Sequence, residues 1–257
     1  MQKKRKRQNK KRNRFIQFFK LLILFLLITF SSAYLSLYGL SNWKVFNIKK
    51  IEISKTKNID KLLIKRKLQN KFNNKNMFLV RNESIQNNLN NFPKIKNTKI
   101  IRRIPNTLIL SIDERLPIAK IIGSKKIIFT IDKEGYLLEK ISINKKNNLP
   151  IFDGIQINNL TIGDKISENS LKILLNIYKI IMRKKPEFLK KISNYSFIDG
   201  NVLLFERNTG IKFLLGREKF LEKIEKLFFV YNNYPIAEYS EIDLRFSDSK
   251  NEIIILR

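Results

Sequence analysis

The chain has 257 residues, 52 Lys and Arg against 22 Asp and Glu, and neither Cys nor His. Without Cys it forms no disulfide, thiolate nucleophile or Cys-ligated metal site, and without His it lacks the commonest general base and metal ligand. The net charge of +30 suggests nucleic acid, but residues 1–20 alone hold ten of the cations and no acid, and the rest is spread thinly. A general bias toward Lys, Asn and Ile accounts for that spread, which confers solubility and weak anion attraction rather than groove reading.

Residues 3–14 form a basic run expected to be solvated and irregular. Residues 21–40 then carry no charge. As a helix rising about 1.5 Å per residue, they span about 30 Å, the thickness of a bilayer core. Tyr34, Tyr38 and Trp43 gather at the far end, where aromatic rings favour the membrane interface. Positive charge before the span and a large domain after it put the N-terminus in the cytoplasm and the bulk outside. Ser31-Ser32-Ala33 would suit a cleaved signal peptide. The apolar stretch continuing through Leu40 favours an uncleaved anchor, and either reading carries Trp43 onward across the membrane.

Residues 46–54 largely alternate and read as a half-buried strand. Asn58 can cap a helix running to about Asn70, with Ile59, Leu62, Leu63, Arg66 and Leu68 near one side. Asn82 or Ser84 can start a second helix through Ile85 and Leu89, stopped by Pro93. Residues 99–104 and 108–112 are apolar runs joined by the turn pair Pro105-Asn106, which reads as a β-hairpin. The order is β-α-α-β-β. A three-stranded sheet with two helices on one face leaves strand edges that can pair with another chain.

That order matches a POTRA domain, a protein-docking module. Phe92-Pro93, the strand ending at Arg103, the Pro105 turn, and Glu114-Arg115-Leu116-Pro117-Ile118-Ala119 stand in sequence here. In these details the chain resembles the bacterial cell-division family FtsQ/DivIB. The family often has Trp after the first Pro, where this chain has Lys94.

Downstream, residues 127–131 read as a strand, followed by the turn Asp132-Lys133-Glu134-Gly135-Tyr136. Leu149-Pro150 leads an extended piece ending at Gly154, and both segments are similar to the family. Residues 168–183 and 217–231 have helical spacing. Residues 192–198, 201–206 and 211–215 read as a meander with turns at Asp199-Gly200 and Thr209-Gly210. Residues 241–246 and 252–257 are the last two strands, and Asp243-Leu244-Arg245-Phe246 resembles the family's terminal Asp-Leu-Arg-aromatic strand.

The fold class read from the chain is α+β. It comprises a basic cytoplasmic tail (1–20), one transmembrane helix (21–40), a POTRA domain (46–115) and a mostly antiparallel β domain with two helices (116–257). Ser-x-x-Lys pairs, which can mark an acyl-enzyme, occur at Ser54/Lys57, Ser142/Lys145 and Ser247/Lys250, but a Lys-rich chain produces them by chance. Asp113 and Glu114 are neighbours in a strand and face opposite ways. The chain has no Gly-rich phosphate loop. The reading is therefore a non-enzyme with no cofactor, metal, nucleic acid or small-molecule substrate.

The resemblance implies a bitopic scaffold of the division machinery in the inner membrane at the septum, joining early cytoplasmic-side proteins to late wall-synthesis enzymes. It implies FtsB- and FtsL-like coiled-coil partners. The mechanism expected on physical grounds is addition of a partner strand to the open edge of the last strand. Phe246 would be the aromatic anchor there, and Ile253, Ile254 and Ile255 would shape the strand face. Glu114, Arg115 and Pro117 would act as a structural joint between domains. Alternatives are another POTRA-type docking protein or a membrane-tethered binder of anionic polymers.

Overall fold

The computed structural model describes residues 2–54, 56–123, 127–142, 148–156, 161–246 and 254–257, with the backbone alone at 2–16, 19, 37 and 41. The described chain divides into two compact units. The first is Met1–Lys55 with Asp60–Asn88 and Thr98–Ile112, and the second is Thr56–Ile59 with Leu89–Asn97 and Asp113–Arg257.

The first unit opens with helix α1, Gln2–Asn42. The basic run 3–14, expected to be irregular, continues this helix, as the good helix propensity of Lys and Arg allows. Within it, Lys20–Leu40 is long and apolar enough to cross a membrane, with a mean hydropathy of 2.1. The last carbonyls of a helix need partners from outside the helical ladder. Here Trp43 N–H donates to Gly39 O at 3.0 Å and the Asn76 amide donates to Leu40 O at 2.9 Å.

Strand β1 (Lys50–Ile53), helices α2 (Lys61–Phe72) and α3 (Asn82–Leu89), and strands β2 (Ile95–Arg103) and β3 (Thr107–Glu114) follow. They take the expected β-α-α-β-β order, with β1 parallel to β3 in a sheet ordered β1-β3-β2. The first strand is shorter than its alternating pattern, because Lys44–Phe46 coils into a 3-10 turn and Asn47 bridges to Asn76. The cap of α2 is Asp60 rather than Asn58, its Oδ1 accepting from Leu62 N–H at 2.9 Å and Leu63 N–H at 3.2 Å. The buried stripe of α2 is Ile64, Leu68 and Phe72, which leaves Leu62 and Leu63 exposed. Phe72, two residues beyond the expected end of α2, sets this stripe by its four-residue spacing from Leu68.

The second unit is built on a nine-stranded sheet. Its strands are β4 (Pro117–Ile122), β5 (Ile128–Asp132), β6 (Leu137–Ile141), β7 (Ile151–Asp153), β8 (Ile192–Ile198), β9 (Asn201–Glu206), β10 (Lys212–Gly216), β11 (Glu241–Asp243) and β12 (Ile255–Leu256). They lie in the order β12-β11-β10-β9-β8-β7-β4-β5-β6. The sheet is mostly antiparallel, as expected, with three parallel pairs, β10–β11, β4–β7 and β7–β8, among its neighbours. A parallel connection needs a crossover: helices α4 (Asn169–Lys184) and α5 (Phe220–Asn233) supply it for β7–β8 and β10–β11, and along the chain the β5–β6 pair lies between β4 and β7.

Both helices pack their apolar faces on one side of the sheet. Leu171, Leu174 and Ile181 of α4 and Ile224 and Leu227 of α5 join Phe152, Tyr195, Leu204 and Phe213 in one core. Gly154, at φ +78°, ends β7, and a Cβ there would fall on the Phe197 carbonyl. Only glycine serves at that position.

Candidate partner-binding edge

Two parts of the second unit bear on function: the segment 114–117 with the turn that follows β5, and the terminal strands β11 and β12.

In the first, the side chain of Arg115 is nearly enclosed. Its Nη1 donates to Asp132 Oδ2 at 2.6 Å and to Glu134 Oε2 at 3.0 Å, and its Cζ lies 3.6 Å from the Tyr136 ring centre. Its backbone N–H donates to Lys94 O at 2.8 Å. Lys96 pairs with Glu134, and Lys94 pairs with Glu139 at 2.7 Å. The Lys96 ammonium first and the Arg115 guanidinium second hold the Glu134 carboxyl at about 2, from an ordinary 4.5. Glu114 accepts the backbone N–H groups of Lys57 at 2.6 Å and Asn58 at 3.0 Å. Pro117 stands opposite Asp132 where β4 and β5 slip register, so the antiparallel pair carries Asp132 back to Arg115.

In the sequence Asp132 and Glu134 read as turn residues, with nothing local to link them to Arg115. The signal was present as an Arg before a Pro-led strand and an Asp-x-Glu-Gly turn after the next strand. Only the strand register joins them.

The terminal edge is built differently. Glu241 and Arg257 exchange backbone hydrogen bonds at 3.0 Å in both directions, and β12 runs antiparallel to β11. In such a ladder the alternate residue, Leu256, turns its N–H and C=O away from β11. Among the described residues no strand lies beyond β12. The opposite edge of the sheet is partly closed: on β6, Leu137 donates to Asp164 O at 2.9 Å and accepts from Gly163 N–H at 2.8 Å.

Ahead of this edge, Asp243 is fully buried. Its carboxylate accepts from Arg245 Nη2 at 2.7 Å, Arg245 Nε at 3.0 Å and Arg245 N–H at 3.0 Å. Burial alone would raise the Asp243 carboxyl, but these donors outweigh it and leave it below its ordinary value. Leu244 donates its N–H to Leu214 O at 2.9 Å and is buried in the core. Asp243-Leu244-Arg245-Phe246 thus ends a strand and turns the chain.

Phe246 lies in that turn, outside β11, and is 57% exposed. Its ring takes the Arg245 guanidinium at 5.6 Å, so it is a surface group and not core. Ile254 packs against the core, as does Leu256, while Ile255 is half-buried. Ile253 lies outside the described residues, as do Lys145, Ser247 and Lys250 of the Ser-x-x-Lys pairs. The Ser54 hydroxyl accepts from Ile112 N–H at 3.0 Å, a bond that pins β1 to β3.

Residues 46–115 match the family model of the POTRA domain, FtsQ-type. The chain is 31% identical over 185 residues to the cell division protein DivIB of Clostridium tetani, a match covering 69% of this chain and 66% of that protein. It is 25% identical over 206 residues to the cell division protein FtsQ of Geotalea daltonii, covering 79% and 74%. With DivIB of Clostridium acetobutylicum it shares 30% identity over 159 residues, covering 61% and 57%. The chain therefore spans between roughly half and three quarters of the length of these relatives, and it belongs to the FtsQ/DivIB family of cell division proteins.

Proposed function

We propose that this cell division protein is a non-enzymatic bitopic scaffold. Residues 1–20 are its cytoplasmic tail, 21–40 its membrane span, 46–115 its POTRA domain and 116–257 its β domain. It links early cytoplasmic-side division proteins to late septal wall-synthesis proteins, and it sits in the inner membrane at the septum. FtsB- and FtsL-like coiled-coil proteins are its partners, and the outer side of β12 is where one of them adds a strand. The observation that supports this reading is the two-residue strand Ile255–Leu256, paired on one side only among the described residues and carrying outward backbone groups. Strand addition uses such groups for affinity and alternate side chains for selectivity. Phe246, three residues past the end of β11, supplies an exposed aromatic of the kind that anchors an interface.

The test is capture of FtsB- and FtsL-like ectodomains by the full chain in detergent, at low and high salt, with and without residues 251–257. Salt-resistant capture lost on truncation supports scaffold and edge together. Capture indifferent to the truncation keeps the scaffold and refutes the edge. Capture that vanishes at high salt with either chain points to a binder of anionic polymers instead.

A further inference from the structure

One end of the first unit carries an apolar surface that the family assignment does not use. Trp43, Val45, Phe78 and Leu79 are all exposed there. They form one patch around Phe46, whose ring stacks on Trp43 at 6.0 Å and meets Phe78 edge-on at 5.2 Å. Two facts fix the patch at the C-terminal end of α1. Trp43 follows Leu40 by three residues, which reach at most about 10 Å. The loop that carries Phe78 and Leu79 is tied to the same helix end by the 2.9 Å hydrogen bond from Asn76 to Leu40 O. Backbone bonds from Ile48 to Lys75 and from Met77 to Phe46 hold the two segments side by side.

The charge on the segments nearest the patch has one sign. Segments 43–49, 73–82 and 102–107 contain no Asp or Glu, and Lys44, Lys49, Lys75 and Arg81 are exposed on them. The headgroup layer adds about 5–8 Å to each side of the hydrocarbon core. A patch tied to the last turn of a spanning helix therefore lies at headgroup depth. Aromatic rings and cationic side chains at helix ends both favour that layer, whose phospholipid phosphates are anionic.

We infer that this end of the unit is a lipid-docking surface: Trp43, Val45, Phe78 and Leu79 enter the headgroup layer at the C-terminal end of α1 while the four cations meet phospholipid phosphates. The inference rests on α1 spanning the membrane. Its consequence is that the first unit is held on the bilayer by its own side chains as well as by its tether.

Trp43 is the chain's single Trp, so a Trp43→Phe background offers single-tryptophan probes. The full chain is reconstituted in vesicles of brominated anionic phospholipid with Trp placed in turn at Tyr34 in the span, at Phe78 in the patch, and at exposed Leu63. Leu63 lies nine residues before Phe72 on α2, about 13 Å along the helix. Leu79→Trp is the second patch probe, should Phe78→Trp not fold. The expected result is strong quenching at 34, quenching of the same order at 78, and quenching several-fold weaker at 63. Quenching at 34 with none beyond the Leu63 level at 78 and 79 overturns the docking surface and leaves the span intact. No quenching at 34 overturns the span and this inference with it. Equal quenching at 63 and 78 overturns the assignment of docking to this end.

Discussion

The Arg115 cluster and the Asp243 turn use the same pair of side chains to opposite ends. In both, an Arg guanidinium neutralises a nearly or fully buried Asp carboxylate. Arg115 is enclosed, its side chain 11% exposed, and it is shared between two carboxylates and a tyrosine ring. Arg245 has one carboxylate, and its side chain stays 38% exposed beneath a ring that faces solvent. The first arrangement ties segments 94–96, 114–117 and 132–136 together. The second ends a strand and leaves an aromatic exposed. An ion pair becomes a strut when its surroundings leave it no water, and a platform when one side stays open.

The largest effect that would test this contrast is at the strut. Arg115→Ala leaves Asp132 enclosed without its cation and should destabilise the protein by about 3–5 kcal/mol, read as a lowered unfolding midpoint of the full chain in detergent. A loss no larger than that of an exposed surface change would show that the cluster is ornamental. Asp243→Ala should cost less, about 1.5–3 kcal/mol, because Arg245 can turn to solvent.

Phe246→Ala should divide the two roles outright. We expect a loss of about 1–3 kcal/mol in partner binding with the unfolding midpoint shifted by under about 0.5 kcal/mol. Equal losses in both assays would place the ring in the core's service and remove it from the interface.

The smallest effect is a pH slope. The carboxyl of Glu134 is depressed to about 2 from 4.5, so its contribution is fully present above about pH 4.5 and is lost as pH falls toward 2. Asp243 is depressed in the same direction and adds to the loss. Glu134→Gln should flatten the fall in unfolding midpoint between pH 4.5 and 2, and a curve parallel to the parent's would refute the assignment.

The two regions were not equally readable from sequence. The Asp-Leu-Arg-aromatic run is local: its Asp caps the N–H two residues on and pairs with the same residue's side chain, so the order of residues nearly specifies the turn. Even so, alternation alone carried the strand to Phe246, whereas β11 stops at Asp243 because that carboxylate turns the chain. The strut is non-local. Arg115 and Glu134 are nineteen residues apart, and what joins them is the β4–β5 register. The α2 cap shows the same limit. Asn58 and Asp60 are both good caps. The Glu114 carboxylate holds the backbone at 57–58, fifty-six residues away along the chain, and Asp60 is left to start the helix.

The sequence by itself determined what local chemistry determines. It set the apolar span, the β-α-α-β-β order, the meander and its glycine turns, the two amphipathic helices, and a family resemblance carried by short motifs. Periodicity and turn propensity act over a few residues, so they survive being read one window at a time. Tertiary structure alone decided the order of the nine strands and their mixed sense. It also decided the burial of Arg115 between two carboxylates, the exposure of Phe246, and the seating of an apolar patch against the end of α1. Each of these depends on which distant segments share a boundary, and pairing register and burial are properties of the packed whole.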